Sequence, residues 1–199
     1  MKKIIIISPC SFTQNGFSNL VSHERMSDVK IINAGGFEET LSHAERSGPS
    51  IIIVDMTIRI RKFRAKQLAN IWNLRRAMYT NEKLRKTPCF LFGIKNQSQL
   101  TSLHWISSQN SVESLIDRLV NIFQNHEEYS STNNIKQKGL EKRQRIMLEQ
   151  LMSGCSIKNI SIKMNSNPHS IFYSRDRLIV KFGLNDRYDF IALSKELIL

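Results

Sequence analysis

Two stretches of this 199-residue chain, KKIIIIS (residues 2–8) and SIIIVDM (residues 50–56), constrain its fold more than any others. Neither alternates apolar with polar residues, as a strand with one wet face would. Continuous β-branched runs of this kind are buried on both sides, and such strands occur in parallel sheets covered by helices. Further strand signals fall at Val29–Asn33, Cys89–Phe92 and Leu103–Ile106. Helical spacing lies between them, near Gly16–Ser22, Phe37–Arg46, Ala65–Tyr79 and Ser111–Gln124. In the last of these Val112, Leu115, Ile116, Leu119, Ile122 and Phe123 recur at steps of three and four, which marks a single buried face. Strands alternating with helices predict an α/β domain, a doubly wound parallel sheet, over residues 1–125.

The pattern changes after residue 125. HEEYSSTNNIKQKG, residues 126–139, offers little besides Tyr129 and Ile135 to bury and reads as an exposed linker. From 140 to 199 the strand signals stop and an all-α segment begins. Leu140, Met147, Leu148 and Leu151 form one apolar stripe, with Gly154 placed to end it in a left-handed C-cap. Ser156 can cap a second short helix carrying Ile157, Ile160 and Met164. Asn167 followed by Pro168 is an N-cap and first-position pair for a third helix, through Ile171, Leu178, Ile179 and Phe182 to Gly183. A fourth begins near Asp186. Two short helices joined by a few residues, inside a four-helix unit, describe a helix-turn-helix, whose second helix enters the DNA major groove.

Charge agrees with that reading. The chain carries 29 Lys and Arg against 17 Asp and Glu, a net charge of +12. Such an excess calls for an anionic partner, nucleic acid first and an acidic membrane surface or protein second. Residues 136–199 hold 12 of the cations and 6 of the acids, about half the net charge in a third of the chain. Three scattered cysteines, Cys10, Cys89 and Cys155, suit packing in a reducing compartment. No run approaches the roughly 20 apolar residues that span a bilayer, so the expectation is a cytoplasmic protein. A P-loop, a dinucleotide glycine fingerprint and a His/Cys cluster with metal spacing are all missing from the sequence, which argues against an enzyme and implies no cofactor.

The segment Leu140 to Leu193 resembles the LuxR/NarL/FixJ family of bacterial transcription regulators. The family pattern lies on it without a gap through Arg143, Arg145, Leu148, Gly154, Ser156, Lys158, Ile160, Ile171, Lys181, Gly183 and Arg187. By that resemblance Ser170, Ile171, Phe172, Tyr173 and Ser174 replace the usual Thr-Val-Lys-x-His of the recognition helix. Base-facing positions map onto Phe172, Tyr173 and Asp176. An aromatic ring can meet a thymine methyl, and a carboxylate can accept from cytosine. Lys158, Ser170, Arg175, Arg177 and Lys181 fall where backbone contacts are expected. A core or dimer contact is the alternative for Phe172 and Tyr173, and a solvated face the alternative for the basic side chains. The family's dimer helix maps onto Tyr188, Phe190 and Ile191.

The first 125 residues resemble a response-regulator receiver domain, a flavodoxin-like fold. PSIIIVDM stands where the family has its third strand, and Asp55 is at the phosphoacceptor position. The acids that hold magnesium in receivers are replaced by Ser8, Pro9 and Cys10. The switch hydroxyl falls on Gly93 and the lysine on Ser107 or Ser108. The resemblance therefore implies a degenerate receiver that keeps only the acceptor. Residues 57–86 hold ten Lys and Arg and one acid. Of these, Arg59, Arg61 and Lys62 are placed to reach Asp55. The segment also suits an exposed basic face, or a grip on an anionic small molecule, a protein or DNA.

Three functions follow as expectations. The first is a phosphorylation-independent regulator that binds double-stranded DNA as a homodimer or with a related regulator. The second is an auxiliary interaction subunit that alters a partner regulator's DNA binding. The third is a regulator switched by phosphorylation of Asp55.

Overall fold

A computed structural model describes residues 1–45, 50–94, 103–130, 141–181, 184 and 187–196. Five strands, β1 (Lys2–Ile7), β2 (Val29–Ala34), β3 (Ser50–Asp55), β4 (Cys89–Gly93) and β5 (His104–Ser107), form one sheet in the order β2-β1-β3-β4-β5. Every pairing is parallel. This is the flavodoxin-like order of a doubly wound sheet, with its switch point between β1 and β3.

The isoleucine runs do what their composition requires. Ile4, Ile6, Ile51 and Ile53 face one side, where Phe17 and Leu20 of α1 (Ser11–Leu20) and Ile116, Leu119 and Ile122 of α5 (Val112–Gln124) cover them. Ile5, Ile7, Ile52 and Val54 face the other, under α2 (Phe37–Ala44) and α3 (Arg61–Thr80). All eight strand residues are at most 1% exposed. Fully burying each such side chain contributes about 1.5–3 kcal/mol, so these two strands anchor the domain.

Three elements differ from the sequence reading. α1 begins at Ser11 and α3 at Arg61, earlier than apolar spacing suggests. Their first turns are largely exposed and carry no periodic signal: Phe12 is 87% exposed, and Arg61, Lys62 and Phe63 all face solvent. A short helix, α4 (Glu82–Lys86), follows α3, with the Asn81 side chain accepting from the Lys83 and Leu84 amides. The proposed linker is also shorter than 126–139. Tyr129 lies 5.8 Å from the Phe90 ring and 5.4 Å from His104, its hydroxyl accepts from Arg118, and Ser130 is buried. Residues 126–130 thus pack on the sheet because Tyr129 supplies an aromatic anchor. The rest of that segment, with Leu140, lies outside the described residues.

The carboxyl-terminal domain comprises α6 (Lys142–Met152), α7 (Ile157–Lys163), α8 (Pro168–Lys181) and α9 (Arg187–Glu196). Its local punctuation follows the sequence at Gly154, Ser156 and Asn167, while Gly183 and Asp186 lie outside the described residues. Gly154 has φ +77, Ser156 Oγ accepts from the Asn159 amide, and Asn167 Oδ1 accepts from His169 at 2.9 Å. Met147, Leu148, Ile160, Ile171, Leu178, Ile179, Leu184 and Leu193 form its core. That core is continuous with the α3 side of the sheet, because α9 lies along α3.

Candidate nucleic-acid interface and the Asp55 pocket

α8 has two faces. Ile171, Leu178 and Ile179 point inward and are at most 7% exposed. Ser170, Phe172, Tyr173, Asp176 and Arg177 point outward, and Lys158 is exposed on α7. Phe172 is 44% and Tyr173 65% exposed, which removes the core reading for both. Large apolar rings left in water on a helix that buries its other face are available to a partner.

Neighbouring cations organise those rings. The Arg175 guanidinium lies 5.1 Å from the Phe172 ring and that of Arg177 lies 5.4 Å from Tyr173. Arg175 also donates to Asp176 Oδ1 through Nε at 2.9 Å and a terminal nitrogen at 2.7 Å. Asp176 is therefore held by its own neighbour, which reduces its repulsion of phosphates and occupies one fork of Arg175. A surface pair of this kind adds at most about 1 kcal/mol to stability, so its consequence lies in orientation. Ser174 and Arg175 are half-buried. The side chain of Lys181 lies outside the described residues.

The expected dimer helix is engaged within the chain. Asp189, in the first turn of α9, is buried and accepts from Arg61 Nε at 2.8 Å. The same guanidinium lies 5.8 Å from the Tyr188 ring. Tyr188 and Ile191 are 52% and 53% exposed, so roughly half of each remains open to solvent. The side chain of Phe190 lies outside the described residues.

Asp55 is wholly buried. The parallel register pairs Ile7 with Val54, which sets Ser8 beside Asp55 at the carboxyl ends of β1 and β3. Ser8 Oγ donates to Asp55 Oδ2 at 2.6 Å. Oδ1 accepts from the Thr57 amide at 2.9 Å and the Thr57 hydroxyl at 2.7 Å. Gln67 Nε2 then donates to both the Ile7 carbonyl, at 2.6 Å, and the Asp55 carbonyl, at 3.0 Å, tying the two strand ends together. The cations offered by the sequence do not reach this carboxylate. Among the described residues its partners are hydroxyls and an amide, and Arg61 instead turns to Asp189. Thr57 was legible as an Asx-type turn two residues after an aspartate. Gln67, twelve residues on, carried no local signal.

A divalent cation of the magnesium type prefers several oxygen ligands around it, carboxylates foremost. Asp55 brings one carboxylate whose two oxygens are already committed, and Ser8, Pro9 and Cys10 bring none. No cluster of three His, Cys, Asp or Glu exists among the described residues. This donor set does not fit such an ion. Gly93, at the expected hydroxyl position, has φ +156, and a Cβ there would meet the Met56 backbone at 3.3 Å. Backbone geometry therefore favours glycine and disfavours any hydroxyl-bearing residue. Ser107 spends its hydroxyl accepting from the Gln109 amide at 3.1 Å.

No family model and no curated protein matches this chain. Solved structures do. A complex of the two-component response regulator RcsB with DNA is similar at a TM-score of 0.53 and 11% identity, over 100% of this chain and 99% of that one. Two RcsB dimers bound to two parallel DNAs give 0.56 at 12%, with coverage of 100% and 99%. RcsB from Salmonella enterica serovar Typhimurium, bound to promoter rprA in the presence of phosphomimetic BeF3−, gives 0.54 at 12%, covering 98% of each chain. These likenesses establish the fold across both domains: a receiver-like sheet followed by a helical helix-turn-helix domain. Among the described residues no helix is long and apolar enough to cross a membrane.

Proposed function

We propose that this chain is a cytoplasmic DNA-binding transcription regulator of the LuxR/NarL/FixJ kind. Its amino-terminal domain is a pseudo-receiver that needs no phosphorylation. One observation carries the reading: α8 buries Ile171, Leu178 and Ile179 while presenting Ser170, Phe172, Tyr173, Asp176 and Arg177 to solvent. An exposed, rigidly backed helix of this length fits the major groove. Phe172 and Tyr173 supply apolar contact for thymine methyls, Asp176 an acceptor for a cytosine amine, and Lys158, Ser170, Arg175, Arg177 and Lys181 the phosphate contacts. Structural similarity to RcsB in its DNA complexes supports the same reading. A single module reads a half-site, so two chains, or one chain and a related regulator, act together, with Tyr188, Phe190 and Ile191 of α9 in the contact.

Asp55 enters this function as a structural acid. The three hydrogen bonds already on its oxygens and the missing second acid support phosphorylation independence, and at about 4 Å two unscreened unit charges repel by about 4 kcal/mol at an effective dielectric near 20.

The test is selection of duplexes from a random pool by the purified full-length chain. A selected motif containing thymine steps, lost in Phe172→Ala/Arg177→Ala, is the expected result. Enrichment of no sequence by the wild type would overturn direct reading. The second reading, an auxiliary subunit, is favoured by the Arg175–Asp176 pair, which withholds a cation from DNA. It predicts no selected motif alone but a changed footprint when a related regulator is added.

A further inference from the structure

Between Asp55 and Glu82 the chain contains no acid, and at the start of α3 it concentrates Arg59, Arg61, Lys62, Arg64 and Lys66. Arg61 is committed to Asp189 and Tyr188 of α9, and Arg64 is half-buried. Arg59, Lys62 and Lys66 are exposed, and no described carboxylate pairs with them. Lys62 and Lys66 are four residues apart and share one face of α3, about 6 Å apart along its axis. The first turn of α3 carries no acid, so the positive end of the helix dipole adds to the same field.

The position of this cluster matters as much as its charge. Arg61 joins it to the first turn of α9, and α9 packs on both α6 and α8. The segment that carries the three cations therefore starts beside α9, which packs on the helix that presents Phe172 and Tyr173. Two lysine point charges on flexible stems and one arginine fork suit a phosphate ladder, which needs no pocket.

We propose that Arg59, Lys62 and Lys66 form a second phosphate-contacting surface, contributed by the receiver-like domain, that grips duplex DNA beside the segment read by α8. This rests on the DNA-binding reading above and extends it: base choice belongs to α8, while part of the affinity comes from α3.

Salt dependence separates the two roles. Each phosphate neutralised contributes about −0.9 to the slope of log affinity against log salt. The experiment measures anisotropy of a fluorescein-labelled random-sequence duplex with full-length protein over a roughly fourfold range of salt. Arg59→Ser/Lys62→Ser/Lys66→Ser is expected to flatten the slope by about 2–3, and each single change by about 0.9. Arg59→Lys retains the wild-type slope, and so does Lys30→Ser, which removes an exposed cation from β2. The ranking of sequences selected from a random pool stays the same in the triple variant.

A triple variant with the wild-type slope overturns the proposal while leaving the reading by α8 intact. An equal flattening by Lys30→Ser also overturns it, because the effect would then report net charge alone. A changed sequence ranking assigns the patch to base readout and likewise refutes the division of labour. A wild-type affinity that is flat in salt removes the DNA-binding reading and the proposal together.

Discussion

Replacing Asp55 with asparagine should destabilise this protein, and the sign of the effect is the informative part. Where two or more carboxylates share a pocket, neutralising one relieves repulsion, and the like charge had already raised its proton affinity. Here the residues beside Asp55 are Ser8, Pro9 and Cys10, and the carboxylate accepts three hydrogen bonds at 2.6, 2.7 and 2.9 Å. Bonds to a charged acceptor contribute about 1.5–3 kcal/mol each, against about 1 for neutral pairs. Asparagine keeps a neutral oxygen for Thr57. Its amide nitrogen faces Ser8 Oγ, which must turn its own proton toward the Cys10 carbonyl, 3.4 Å away. The net loss is about 1–3 kcal/mol. Alanine removes the acceptor of the Thr57 amide and hydroxyl and leaves the buried Ser8 hydroxyl only the Cys10 carbonyl, 3.4 Å away, at a cost of about 3–5 kcal/mol. At about 2–4 °C per kcal/mol, the asparagine variant should melt roughly 2–12 °C lower. Urea and thermal unfolding followed by circular dichroism measure this, with and without magnesium, which should change nothing. An asparagine variant as stable as the wild type, or more so, would refute the reasoning. So would labelling of the wild type, but not Asp55→Asn, by acetyl phosphate.

Three further outcomes follow from the geometry. Gly93→Thr, which restores a hydroxyl at the family position, should lower stability by about 1–3 kcal/mol and confer no phosphorylation, because its Cβ meets the Met56 backbone at a glycine-favouring φ; equilibrium unfolding and a phosphodonor assay check both halves. His104 packs against Phe90 and Tyr129, and burial first, then Arg118, lowers its pKa. The folded state thus prefers the neutral ring, so its contribution is present above the unfolded pKa of about 6.5 and is lost as pH falls through the lower folded value. Urea midpoints should decline on acidification through that window, and His104→Gln should flatten the decline. Asp189→Ala should loosen α9 from α3 by removing the partner of Arg61, at a cost of about 1–3 kcal/mol; limited proteolysis of the full chain should then cut near α9 faster, with no change in cleavage around β1 and β3.

The sequence by itself determined the features whose causes are local. Unbroken isoleucine runs demanded a sheet covered on both faces. Ser156, Asn167 and Gly154 act on backbone groups within a few residues of themselves, so they marked helix ends that the structure reproduces. The inner stripe of α8 was legible as Ile171, Leu178 and Ile179 for the same reason. Polar first turns hid the starts of α1 and α3, and a single aromatic, Tyr129, hid the packing of residues 126–130.

Tertiary structure decided every contact that depends on strand register or domain docking. Ser8 meets Asp55 across 47 residues only because β1 and β3 lie parallel with Ile7 opposite Val54. Arg61 finds Asp189 only because α9 lies along α3. A hydrogen-bonding side chain advertises its type in the sequence but not its distant partner, since that choice belongs to the packing of whole elements.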